Sequence, residues 1–381
     1  MSTLRIAFVL DDSLDKTDGV QQYVLTLGQW LAKQGHDVHY IVGETKRTDI
    51  PNIHSLARNI KVRFNRNRMS IPLPVSRRVI RRLLSQQEFD IIHVQMPYSP
   101  ALGGRVIQEA GPLTGVVATF HIAPHSGFVK FANRLLRFIT FRSFRRIDEI
   151  ISVSQVAQDF AWDAYRTESA VVPNTLRLTP FYNPSPIDQY KDTVNVVFLG
   201  RLVDRKGCQY LLRAIRRIFE AKMLPADSKV KVVICGTGPL ENELKTYVKT
   251  HRMSHLVDFV GFISEEDKPN YLACADIAVY PSTGGESFGI VLLEAMAASR
   301  GVVLAGNNPG YASVMGERPE VLFDPLDDEQ LANKIQRYLD SKNERLAARD
   351  YQRQFVRKFD VPNVADEILV VYDEALHKRR S

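Results

Sequence analysis

Cysteine is scarce in this chain of 381 residues, and its three thiols, Cys208, Cys235 and Cys274, are scattered and odd in number. That excludes a disulfide framework, and their apolar neighbours predict buried thiols rather than a metal site. No apolar run reaches the roughly eighteen residues that a spanning helix needs. Met1 to Arg5 leads directly into the strand-like run Ile6-Ala7-Phe8-Val9-Leu10, so neither a secretory leader nor a membrane span is expected, and the cytosol is the expected compartment. No D-x-D motif stands out, and no tandem repeat or low-complexity tract is evident.

Acidic residues are missing from two long stretches. Arg58 to Arg82 holds nine Lys or Arg without an acid, and Lys130 to Arg146 holds six more. The chain has 50 basic and 43 acidic residues, so its net charge of +7 is carried locally and everything outside these two stretches is acidic. A polyanionic surface is the partner this distribution predicts. Within the first stretch, Ser76 to Leu84 sets Arg77, Arg78, Arg81 and Arg82 on one helical face and Val79, Ile80, Leu83 and Leu84 on the other. Such a basic amphipathic helix, together with the Phe-rich stretch Phe128 to Arg146, suits an anionic phospholipid surface. Nucleic acid is not expected, because the helix is not interleaved with aromatics and no nucleic-acid motif is present.

A hydrophobic content of 45% in a chain this long can bury two cores. Short apolar runs at Ile6 to Leu10, Asp37 to Val42, Asp90 to Val94, Gly115 to Phe120 and Glu149 to Val153 read as strands, with a helix from Val20 to Gln34. After a proline-rich stretch from Asn174 to Asp192, read as a linker, strands recur at Val194 to Leu199, Val230 to Cys235, Val257 to Val260, Ile277 to Tyr280 and Val302 to Ala305. The expected class is α/β, with two doubly wound domains at 1–174 and 193–359 and a charged C-terminal helix, about 360–381, returning to the first.

The chemistry concentrates in Thr283 to Glu294, T-G-G-E-S-F-G-I-V-L-L-E. A strand, a glycine turn and a buried helix from Phe288 to Ala298 make an anion site at the N–H groups near Gly289 and Ile290. Glu286 lies just outside that helix and Glu294 two turns in, about 12 Å apart at helical rise, a span suited to a nucleotide-sugar diphosphate. The spacing by itself equally fits a helix cap and a solvated glutamate. Arg201 and Lys206, in G-R-L-V-D-R-K-G after a strand, can neutralise a leaving diphosphate without a metal. Gly19 opens the first helix and lets backbone N–H groups approach a phosphate. His121 ends a strand in T-F-H. Gly236-Thr237-Gly238 lacks a third glycine, Glu241 standing there, and reads as a tight turn.

These residues resemble retaining family-4 glycosyltransferases of GT-B fold, and within them the bacterial GDP-mannose-dependent phosphatidylinositol mannosyltransferases. The T-G-G-E-S-F-G-I-V-L-L-E-A-M-A-A block, the T-F-H strand end, the G-R-x-x-x-x-K-G loop and the basic helix carry the resemblance. It implies two Rossmann-like domains facing across a cleft and retaining transfer of a hexose to a membrane lipid or lipid-linked acceptor at the inner face of the cell membrane. His121, Arg201, Lys206 and Glu286 would then be catalytic, and Gly19, Ile263, Glu265, Lys268, Ser287, Phe288, Gly289, Ile290 and Glu294 would join Arg201, Lys206 and Glu286 in binding the donor. A carboxylate at Glu265 can accept the paired donors of guanine, which uracil lacks, and this favours GDP-mannose as donor with neither cofactor nor metal. Ser264 to Asp267 also fits an ordinary helix start. The family's Gly-Gly pair is Asp18-Gly19 here, and its aromatic residue for stacking on inositol is replaced by Asp11-Asp12. The rival readings are a UDP-hexose enzyme acting on diacylglycerol or a glycan, and a lipid-binding scaffold.

Overall fold

The computed structural model describes residues 3–15, 18–57, 59–64, 67–121, 127–221, 223, 229–316 and 318–381, with side chains described outside 59–72 and 127–135. The chain forms two compact units, Met1–Thr175 with Val361–Ser381, and Leu176–Asp360.

Unit 1 begins β1 (Arg5–Leu10), α1 (Gly19–Lys33), β2 (Asp37–Val42), β3 (Ile53–Ser55) and a two-stranded hairpin β4 (Asn59–Phe64) with β5 (Asn67–Pro72). There follow α2 (Arg77–Gln87), β6 (Ile91–Gln95), α3 (Leu102–Glu109), β7 (Gly115–Phe120), α4 (Gly127–Phe144), β8 (Glu149–Ser152), α5 (Gln155–Tyr165) and β9 (Ala170–Val171). The seven-stranded sheet runs β3-β2-β1-β6-β7-β8-β9, all parallel. Helices cover both faces, which is why these strands are continuously apolar rather than alternating. Successive residues of β1 point to opposite cores. Ile6, Phe8 and Leu10 pack with Tyr23, Val24, Leu27 and Leu31 of α1. Ala7 and Val9 pack instead with Ile80 of α2 and Val106 of α3.

Unit 2 contains α6 (Thr179–Tyr182), β10 (Val194–Leu199), α7 (Cys208–Glu220), β11 (Val230–Cys235), α8 (Glu241–Thr250), β12 (Val257–Gly261), α9 (Lys268–Ala273), β13 (Ile277–Tyr280), α10 (Ile290–Ala298), β14 (Val302–Gly306), α11 (Pro309–Met315), β15 (Leu322–Phe323), α12 (Asp328–Asp340) and α13 (Lys342–Phe355). Its parallel sheet runs β12-β11-β10-β13-β14-β15. The last helix, α14 (Val361–Arg380), belongs to unit 1, where Ile368, Tyr372 and Ala375 join the core beside α1. There the Tyr372 hydroxyl lies 2.7 Å from Nδ1 of His93 on β6.

Residues 176–192 are not a free linker. Pro180 starts α6, the Leu178 N–H donates to Asp360, and the Ser185 N–H donates to Asn270, so the prolines shape a segment tied into unit 2. The hairpin β4–β5 lies inside the first basic stretch, where no strand was expected; its alternation is masked by charge.

Candidate active site

In a doubly wound sheet, ligands bind beyond the strand C-termini where the strand order reverses. In unit 2 that point lies between β10 and β13, and the loops that leave those two strands are Gly200 to Gly207 and Pro281 to Gly289. The two motifs, 80 residues apart in sequence, are therefore neighbours. Thr283 N–H and the Ser282 hydroxyl both donate to the Arg205 carbonyl, each at 2.9 Å. Gly207 has φ +75°, and a Cβ there would lie 1.9 Å from the Pro281 carbonyl oxygen, so only glycine lets the loops close.

Glu286 sits where they meet. Its Oε1 receives Arg205 Nη1 at 2.6 Å and Lys206 Nζ at 2.8 Å, and lies 3.0 Å from the Ser282 hydroxyl, whose single proton it shares with the Arg205 carbonyl. Burial raises the pKa of this carboxyl, but Lys206 and Arg205 outweigh it and hold the pKa below the usual range, so the group is anionic. Burial draws Lys206 below an ordinary lysine in spite of Glu286. Arg205 was not among the residues singled out in the sequence. The signal was its place in the same R-K-G run, one residue before Lys206.

Helix α10 starts at Ile290, preceded by Gly289 at φ +112°, with no side-chain cap and no acid in its first turn. Its leading N–H groups and positive dipole end suit a phosphate. Because α10 begins two residues later than the sequence suggested, Glu294 is its fifth residue, little more than one turn in rather than two. The helical-rise estimate between Glu286 and Glu294 accordingly does not apply. Ser287 is half-buried, whereas the Phe288 ring is buried against Phe359 at 5.7 Å between centroids.

Glu294 is buried and bonded to Lys268 of α9 at 2.8 Å, while Lys268 also meets Glu265 at 2.5 Å. Burial raises the pKa of Glu294 further than Lys268 lowers it. Burial also opposes the charge on Lys268, but its two carboxylates win and its pKa rises. Ile263 is half-buried at the base of this loop, next to exposed Phe262. The Ser264 hydroxyl accepts from the Asp267 N–H at 3.0 Å, so the acidic run forms a turn ahead of α9, which begins only at Lys268 and has no acid in its first turn. Arg201 is exposed on the β10 loop. Gly236 and Gly238 press backbone to backbone against that loop; a Cβ on Gly236 would lie 2.0 Å from the Gly200 carbonyl, which makes the G-x-G a packing turn.

In unit 1, His121 follows β7 and is buried, its Nε2 2.7 Å from Gln95 Oε1 and its ring edge-on to Tyr23. Gln95 points its amide N–H₂ at the His93 carbonyl, so His121 donates from Nε2. Burial pushes the His121 pKa down to about 3, and the ring is neutral. Gly19 is the exposed first residue of α1, whose first turn carries no acid and whose N-cap Asp18 makes no side-chain cap. Asp11 accepts from the Gly103 N–H at 2.7 Å and from the Ser99 hydroxyl, which ties β1 to the start of α3.

The basic helix differs from expectation in two ways. Val79 is exposed, so the apolar face is narrower than the sequence suggested, with Ile80 and Leu84 buried. Glu109 of α3 pairs with Arg77 at 3.4 Å and Arg81 at 2.8 Å, an acidic compensation supplied by a distant part of the sequence. Arg78 and Arg82 are exposed. Of the second basic stretch, the side chains of residues 130–135 lie outside the described residues, as does that of Phe128 just before it. Among the described residues no cluster of three metal-ligating side chains occurs and no helix is long and apolar enough to cross a membrane.

Two tandem Rossmann-like units, the second with a carboxylate, two cations and an open helix N-terminus at its switch point, define the GT-B glycosyltransferase class. The group 1 glycosyltransferase model matches residues 184–355 and the glycosyltransferase family 4 model matches residues 17–179. A phosphatidyl-myo-inositol mannosyltransferase of Propionibacterium freudenreichii is 32% identical over 79% of this chain and 77% of its own length. Its namesake in Mycolicibacterium smegmatis is 27% identical over 97% and 94%. The crystal structure of Anabaena HepE in complex with UDP superposes with a TM-score of 0.74, at 17% identity, over 97% of this chain and all of that one. The chain belongs to this glycosyltransferase family, with a family 4 N-terminal region and a group 1 C-terminal region.

Proposed function

We propose that the protein transfers mannose from GDP-mannose, with retention, to a membrane lipid of the phosphatidylinositol type, working peripherally at the inner face of the cell membrane. The observation that carries this reading is the Glu286 cluster: one anionic carboxylate fixed by Arg205 and Lys206 beside the open N-terminus of α10. The carboxylate can accept sugar hydroxyls, and the cations with the helix N-terminus stabilise charge as it develops on the departing diphosphate. As the anomeric carbon–phosphate oxygen bond breaks, the acceptor hydroxyl forms the new bond from the same face and passes its proton to a leaving phosphate oxygen. This clamp does what a divalent ion would do, so chelators should leave the rate unchanged.

Guanine is favoured by Glu265, exposed on the α9 loop and held by Lys268. Lipid as acceptor is supported by the names of the relatives and by the arginine face of α2. The test is transfer of labelled mannose from GDP-mannose to vesicles containing phosphatidylinositol, with the anomeric configuration of the product read by NMR. A product of inverted configuration would refute retention. Calorimetric titration of GDP and UDP on wild type and Glu265→Ala decides the base: equal affinity for both, or a preference that survives the substitution, overturns the guanine assignment.

A further inference from the structure

Helix α4 is inside out over its last turns. Thr140 and Ser143 are each 1% exposed, whereas Phe138, Ile139 and Phe141 are 79%, 60% and 55% exposed. The polar side is fixed inward. Thr140 donates to the Leu136 carbonyl at 2.8 Å, and Ser143 donates to the Gly104 carbonyl at 3.2 Å while accepting from Gln108 at 2.9 Å. With these groups satisfied, the helix has no reason to roll its apolar face inward. Three large apolar side chains on consecutive outward positions form a patch rather than scattered surface residues.

The patch extends onto α5 and is ringed by cations. Trp162 is 50% exposed, and Arg137 and Phe138 line one surface concavity with Asp163, Ala164 and Arg166. The Arg145 guanidinium lies 5.7 Å from the Phe141 ring centre and that of Arg166 5.9 Å from Trp162. Arg142 is exposed beside them, and Asp163 is the acid at the concavity. Aromatic side chains backed by arginines match the lipid–water interface, where rings sit at headgroup depth and guanidinium groups meet phosphates. Four arginines, Arg137, Arg142, Arg145 and Arg166, stand against the one acid of the concavity, Asp163, and give the rim the net positive charge that an anionic bilayer satisfies. Helix α3 packs against both α2 and α4, so the patch and the arginine face of α2 belong to helices on either side of α3 in unit 1.

We infer that this face of α4 and α5 inserts into the interface of an anionic bilayer, with Phe138, Ile139, Phe141 and Trp162 below the phosphates and the surrounding arginines against them. It supplies the salt-resistant part of membrane binding, and α2 supplies the salt-sensitive part. The inference rests on the lipid-acceptor reading above and adds the surface that reaches the lipid.

The experiment compares intrinsic fluorescence of wild type and Trp162→Phe with vesicles of phosphatidylglycerol or of phosphatidylcholine, plain and brominated. Phosphatidylglycerol should shift wild-type emission to the blue and bromine should quench it; Trp162→Phe, which keeps the partly buried Trp30, should show neither. Combined Phe138→Ser, Ile139→Ser and Phe141→Ser should lower the vesicle partition coefficient at high salt on the order of tenfold or more. Unchanged emission, or a triple variant that binds as wild type does, overturns the inference. So does a wild-type dimer that the triple variant turns into a monomer, since a second copy would then cover the patch. Transfer to a short-chain acceptor without vesicles separates the two readings: its failure alongside Trp162 insertion rejects the proposed activity and leaves the insertion standing.

Discussion

Arg205 Nη1 approaches to 2.6 Å the same oxygen of Glu286 that Lys206 meets at 2.8 Å, so one carboxylate oxygen anchors two cations from consecutive residues of another loop. Glu286→Ala should remove both the sugar-facing acceptor and the anchor, cutting turnover on the order of 10² to 10³-fold. Arg205→Ala leaves Lys206 and Ser282 in place and should cost roughly tenfold. Steady-state kinetics on the two variants tests this; wild-type turnover in Glu286→Ala would remove the carboxylate from the mechanism.

Lys268 stands between two carboxylates, one of them buried. Lys268→Met would leave Glu294 without its counter-charge, at a cost of about 3–5 kcal/mol. Denaturant unfolding should show the loss, and adding Glu294→Gln should restore most of it. A double variant no more stable than Lys268→Met alone would mean that the pair is not what couples these elements.

The buried imidazoles of His93 and His121 both have pKa values pushed down to about 3 by burial. Unfolded, each titrates near the usual ~6.5, so between these values the unfolded chain binds more protons and stability falls as pH falls. Each contributes about 1.4 kcal/mol per pH unit over that window, and neither contributes above it. Urea unfolding from pH 7 to pH 4 should show this slope, reduced in His93→Phe. NMR should find neither ring titrating between pH 6 and 8.

On α2, replacing Arg77, Arg78, Arg81 and Arg82 together should release the protein from anionic vesicles at low salt, each charge being worth about 1 kcal/mol near the surface. Glu109 opposes that attraction from α3, so Glu109→Gln should strengthen binding by a similar amount. Vesicle co-sedimentation across salt concentrations reads both, and binding indifferent to the four substitutions and to salt would refute the electrostatic role.

The two doubly wound layers are legible in the chain alone, because strands buried on both faces must be continuously apolar and their glycine turns mark where they end. Asp37–Val42, Gly115–Phe120, Val194–Leu199, Val230–Cys235 and Ile277–Tyr280 are strands with the bounds their apolar runs imply. The same reading locates the loops that carry a cation and a carboxylate, as Lys206 and Glu286 show. How those groups are paired depends on the folded chain. Parallel strand order brings the β10 and β13 loops together across 80 residues, so Arg205 became a partner of Glu286, and Lys268 of Glu294, through contacts that have no local period. Burial, likewise a property of the folded whole, placed Glu109 beside the α2 arginines and turned the apolar side chains of α4 outward. Periodicity reports that a helix has two faces; which one meets the core is settled by what packs against it.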